Sequence, residues 1–111
     1  MARKERTHNS IPKQVELFGR TVRTVDETGK MDSHNFGQAR YGCNQIAISK
    51  VVGGNEVTDE ELKLTYLHEL MHFILNFTGF ESQIKQTNID MEQFVELMAA
   101  GIYQYEKSGK Y

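Results

Sequence analysis

The chain has 111 residues, 39% of them hydrophobic and 25% charged, with 13 basic side chains against 15 acidic ones and a formal net charge of -2. A length of this order holds one domain, expected over residues 1–111, and the lack of a basic excess removes the electrostatic ground for nucleic-acid binding. The one cysteine, Cys43, has no intramolecular partner, residues 1–13 lack the apolar run of a secretory signal, and the most apolar stretch, Leu70 to Phe77, is interrupted by His72 and Asn76. A cytoplasmic protein with no membrane span is the expectation.

Residues 1–12, with the cluster Arg3, Lys4 and Arg6, read as a flexible, solvated tail. Val15, Leu17, Val22 and Val25 then alternate imperfectly with threonine and charged residues, which predicts strands near 14–18 and 21–26. Gly19-Arg20 between them suits a hairpin turn or a bulge. From Asp26 to Gly42 the composition turns to Gly, Asp, Ser, Asn and Gln, the signature of a long loop. The run Gln45-Ile46-Ala47-Ile48-Ser49 is the clearest strand in the chain, ended by Gly53-Gly54-Asn55.

Beyond those glycines the apolar period changes from two to 3.6. Thr58 can cap the backbone of a helix that Glu61 reaches back to, with Leu62, Tyr66, Leu67, Leu70, Met71, Ile74 and Phe77 as its apolar stripe and Gly79 as its left-handed end. A second helix is predicted from Asn88 or Asp90 to about Tyr105, with Met91, Phe94, Val95, Met98, Ile102 and Tyr105 on one side. Strands, loop, strand, helix and helix in that order give an α+β domain, a short antiparallel sheet against two helices.

Inside the first helix stands His68-Glu69-Leu70-Met71-His72. Four residues of helix bring the second imidazole back over the first, so two neutral nitrogens can bind one zinc ion, while Glu69 falls where a carboxylate can take a proton from water. A catalytic site needs a third protein ligand. Neither Leu75 nor Thr78 supplies the glycine and histidine of the metzincin extension, and His8 and His34 cannot be chosen by pattern. Glu92 and Glu96, four apart on one flank of the second helix, can both look towards the first. Glu92 is the expected ligand and Glu96 the expected acceptor for a histidine ring N–H, with Glu96 or Asp90 as alternative ligands.

His68-Glu69-x-x-His72 followed by Glu92-x-x-x-Glu96 resembles the gluzincin-type zinc metallopeptidases. More narrowly, over about residues 41 to 104, Ile46-x-Ile48 with Leu67-His68-Glu69-Leu70-Met71-His72 resembles the ImmA/IrrE-like metallopeptidases common in phages and mobile elements. That resemblance implies a small zincin-like fold, a Zn2+ cofactor and hydrolysis of a peptide or protein substrate, a repressor or host protein among the targets, with no nucleic-acid or membrane partner. It also implies that the strand at 45–49 lines the cleft and offers a free edge to an extended peptide. Tyr66, Tyr103, Tyr41, Arg40 and His34 are the candidate donors to an oxyanion. Gly42-Cys43 upstream of the histidine motif also resembles peptide deformylases, although Asn44-Gln45 follow where that family has Leu-Ser; otherwise Cys43 reads as a small apolar residue of the strand. The alternative to a peptidase is a catalytically silent or regulatory zinc-binding module, or a metal-free protein that binds partners through its strand edge.

Overall fold

A computed structural model describes residues 9–109. The first hairpin joins β1 (Gln14–Leu17) to β2 (Arg20–Asp26), pairing Leu17 with Arg20. Phe18 and Gly19 both take positive φ, 51° and 77°, as the two central residues of a type I′ turn must. Gly19 therefore belongs to a tight turn and not to a bulge.

The expected long loop contains a strand, β3 (Gly37–Arg40), and a single 3-10 turn at Tyr41–Cys43 before β4 (Gln45–Ile48). The sequence Gly-Gln-Ala-Arg has no β-branched or aromatic residue, so local preference does not announce it; pairing with β4 imposes it. The strand order is β1-β2-β4-β3. The sheet is antiparallel-rich, as expected, with one parallel pair at its centre: β1/β2 and β3/β4 are antiparallel, whereas β2 and β4 run parallel with Arg23 opposite Gln45. On its helix-facing side Val22, Ile46 and Ile48 are buried and Val15, Leu17 and Ala39 pack beside them. A separate ribbon of β5 (Val51–Val52) and β6 (Asn55–Glu56) turns at Gly53-Gly54.

Helix α1 (Asp59–Thr78) begins with a full capping box. Glu61 N donates to Thr58 Oγ1 at 3.1 Å, and Thr58 N donates to Glu61 Oε1 at 3.3 Å. Asp59, Glu60 and Glu61 complement the positive end of the helix, and Gly79 at φ 80° closes the other end. A short helix absent from the sequence reading, α2 (Phe80–Lys85), follows at once, and α3 (Met91–Ser108) starts at Asp90, whose Oδ1 accepts from Gln93 N.

α1 lies between the sheet and α3, so it buries two faces and not one stripe: Phe73 and Leu75 are buried in addition to Leu62, Tyr66, Leu67 and Met71. Phe73 is fully buried, with ring contacts to Phe77 at 5.4 Å and Tyr41 at 5.1 Å. Phe73→Ala is expected to cost about 3–5 kcal/mol, because a closed site between sheet and helix collapses poorly around the lost ring. The urea midpoint measures it; a shift equivalent to under about 1 kcal/mol would contradict this packing.

α3 is rotated from its expected face. Val95, Ala99 and Tyr103 are its buried residues, while Met98 and Tyr105 are 43% and 67% exposed. Extended by one step in each direction, the stripe Val95, Ala99, Tyr103 carries Glu92 at one end and Glu106 at the other. Glu106 pairs with the buried Lys63 of α1 at 3.2 Å. Lys63 also donates to Ser10 O at 3.0 Å, and Tyr103 Oη donates to Asn9 Oδ1 at 3.0 Å. Ile11 packs on the core. Asn9 and Ser10 of the expected tail are thus tied to the two helices and Ile11 to the core; Arg3, Lys4, Arg6 and His8 lie outside the described residues.

Candidate metal centre

The helical repeat does at His68 and His72 what the spacing requires: their rings stand one turn apart, with centroids 5.0 Å apart. Both Nε2 atoms turn to the same carboxylate. His68 Nε2 lies 3.0 Å from Glu92 Oε2 and His72 Nε2 lies 3.0 Å from Glu92 Oε1. A carboxylate only accepts, so each Nε2 donates in this arrangement, and a metal ion would take the place of those two protons.

The donor atoms of His68, His72 and Glu92 all lie within 4.8 Å of one another, and the group could hold a metal ion. Around a small tetrahedral ion with bonds of roughly 2.0–2.1 Å, neighbouring donors stand about 3.3 Å apart, a spacing the 4.8 Å limit admits. Two imidazoles and one carboxylate also leave a fourth position open. The Glu92 side chain is 68% exposed, so the group that would hold the ion is reached from solvent on that side.

Glu69, between the two histidines in sequence, is buried, with only 7% of its surface exposed, yet lines the same cavity. Burial pushes its carboxyl above the usual carboxylate range; His68 opposes the shift and the charge of Glu92 adds to it. The remaining expected residues fall as follows. Glu96 is exposed on the cavity rim and, among the described residues, hydrogen-bonds neither histidine. Asp90 is occupied as the α3 cap. Cys43 is exposed in the 3-10 turn, outside both the strand and the three-residue metal group. His34 and Tyr41 line the cavity, whereas Tyr66 is buried in the core and Arg40 pairs with Glu27 at 2.9 Å.

Two site residues were not legible in the sequence. Gly37 falls there inside the expected loop, but it stands in β3 where a Cβ would meet Thr65 Cγ2 at 2.5 Å, Ala47 O at 3.2 Å and Glu69 Cγ at 3.5 Å. It lets β3 approach α1. Gly37→Ala is expected to destabilise by about 1–3 kcal/mol through overpacking, and Thr65→Ala, which removes the obstructing methyl, to recover part of that loss, the contact with the Ala47 carbonyl at 3.2 Å remaining. Strictly additive costs in the double variant would contradict this account. The other residue is Glu81 of α2, whose Oε2 accepts from Tyr41 Oη at 3.4 Å and whose Oε1 pairs with Lys85 Nζ at 2.9 Å.

Burial lowers the His72 imidazole below its ordinary value of 6.5, against the opposing pull of Glu92. Below that value the unfolded chain takes up a proton that the folded chain resists, so the metal-free protein loses stability as the pH falls through about 6.5. Urea midpoints of the chelator-treated chain at pH 7.5 and 5.5 should differ more for the parent than for His72→Gln. Equal differences would remove this group from the pH dependence.

Comparison with protein-family models, curated proteins and solved structures returned no match for this chain. The fold and site by themselves define a small α+β domain with a two-histidine, one-carboxylate group that could hold a metal ion. Among the described residues, no helix is long and apolar enough to cross a membrane.

Proposed function

We propose that the protein is a zinc-dependent peptidase, and the observation that carries this reading is the convergence of two Nε2 atoms on one carboxylate beside a buried glutamate. The donor set, two nitrogens and one carboxylate oxygen with an open position, suits Zn2+. When bound, such an ion polarises a carbonyl oxygen and acidifies water.

The chain's own groups do the remaining work. Glu69, its basicity raised by burial, accepts a proton from the attacking water and returns it to the departing amine nitrogen. The cavity is about 870 Å³ and open, with the segment His34 to Ala39 as one wall, which accommodates an extended chain better than an enclosed small molecule.

The peptide edge differs from the sequence expectation. β4 is flanked on both sides, by β2 and β3, so it has no free edge; β3 does. Phe36 O accepts from Ser49 N at 3.0 Å, and by the alternation of an antiparallel pair Gly37 and Ala39 turn their backbone groups outwards. Gly37 N donates to Asn35 Oδ1 at 3.2 Å, a side-chain bond that an incoming peptide carbonyl can replace. A substrate strand would add there, beside the metal group.

Metal analysis of the purified chain followed by incubation with a mixed peptide library tests the reading. One equivalent of zinc and chelator-sensitive cleavage are expected. Stoichiometric zinc without cleavage of any peptide would leave a silent zinc module, and absence of bound metal would remove both.

A further inference from the structure

Glu69 handles the proton, but a second donor is needed where negative charge gathers on the substrate carbonyl. Of the five candidate donors named from the sequence, only His34 and Tyr41 line the cavity that His68, Glu69, His72 and Glu92 share. Tyr41 is the better fixed of the two. It stands directly after β3, the edge along which a peptide would lie, and its ring meets the buried Phe73 edge-on, at 5.1 Å and 72°. Among the described residues its hydroxyl has one hydrogen-bond partner, Glu81 Oε2 at 3.4 Å, long for an O–H···O bond and so readily exchanged. Lys85 holds the other Glu81 oxygen at 2.9 Å, which keeps that carboxylate in place behind the phenol.

We propose that Tyr41 is a catalytic residue, donating its hydroxyl hydrogen to the substrate oxyanion, and that Glu81 is the positioning residue that holds the phenol at the cavity until the substrate arrives. This rests on the hydrolytic reading above. The step is hydrogen-bond donation only; the proton stays on the phenol oxygen. Burial, reinforced by the charges of Glu81, Glu69 and Glu92, raises the phenol's pKa above its ordinary value, so Tyr41 remains a donor over the whole neutral range. The two parts have separate origins in the chain. Tyr41 comes from the 3-10 turn after the edge strand, and Glu81 from the short helix that Gly79 starts.

The test uses the full chain with one equivalent of zinc. In Tyr41→Phe, which keeps the ring contact with Phe73, kcat is expected to fall about 10²–10³-fold with KM and zinc affinity nearly unchanged. Binding of methylphosphonate, a small tetrahedral oxyanion, is expected to weaken about 10-fold or more, as for one lost charge-assisted hydrogen bond. Glu81→Ala should reproduce part of both losses and Glu81→Gln, which retains an acceptor, should restore most of them. Neither should add to Tyr41→Phe.

Equal methylphosphonate affinity in the parent and Tyr41→Phe would overturn the proposal, as would a loss that appears in His34→Gln instead. A parent chain that cleaves no peptide defeats the hydrolytic reading, while the methylphosphonate comparison still decides whether Tyr41 serves an oxyanion.

Discussion

Glu69→Gln is expected to retain zinc and lose hydrolysis, with turnover reduced by at least about 10²–10⁴-fold. Glutamine preserves the shape of the side chain where Glu69 Cγ packs beneath Gly37 of β3, so the helix and its two imidazoles stay where they are. What disappears is the capacity to take a proton. The same substitution also carries a signature in the metal-free chain that owes nothing to turnover. Because burial raises the Glu69 carboxyl, the folded chain binds its proton more readily than the unfolded chain does. The contribution of this one group to the parent's stability is therefore greatest below the ordinary value of 4.5 and declines as the pH rises through the raised folded value. Glutamine has no such term. Relative to the parent, the variant should gain stability at neutral pH, and that gain should vanish near pH 4. Unchanged turnover would eliminate Glu69 as the base, and a pH-independent stability difference would contradict its burial as a charge.

Helix α1 was legible because several local signals agree on it. Thr58 and Glu61 mark its start, Gly79 its end, and the histidine spacing works only on a helix. Periodicity failed where one helix serves two neighbours. α1 packs on the sheet and on α3, so Phe73 and Leu75 join its buried set and no single stripe describes it. In α3 the apolar residues are more numerous than the buried positions. Met98 and Tyr105 fit the pattern, yet the close contact with α1 selects the small Ala99 and leaves both larger residues exposed. β3 was illegible for a different reason. Its four residues have no strand preference, and only the free edge of β4 organises them. The same omission gave β4 a free edge in the sequence reading, which it has only if β3 is a loop.

Glu92→Ala should lower zinc affinity by more than about 100-fold. Loss of a group that merely orients a ligand costs 10–100-fold, and removal of a ligand must cost at least as much. The direction of this side chain follows from the rotation of α3. Glu92, Val95, Ala99, Tyr103 and Glu106 recur at intervals of three and four residues, so the stripe that packs on α1 delivers a carboxylate at each end. Glu106 meets Lys63 and Glu92 meets both histidines, each oxygen 3.0 Å from one Nε2. The metal-free fold depends little on Glu92. Its side chain is 68% exposed, against 24% and 12% for the two imidazoles, and a pair with one solvated partner contributes about 1 kcal/mol, so the chelator-treated variant should unfold not far below the parent. With zinc present, the parent should instead gain stability in proportion to the logarithm of metal concentration over its dissociation constant, a gain the variant loses. Glu96→Ala is the matched control. Exposed one turn further along α3, Glu96 bonds neither histidine, and its removal should leave zinc affinity within a few-fold of the parent. If competition with a chelator finds the large loss in Glu96→Ala and not in Glu92→Ala, the third ligand lies one helical turn further along, and α3 must rotate to deliver it.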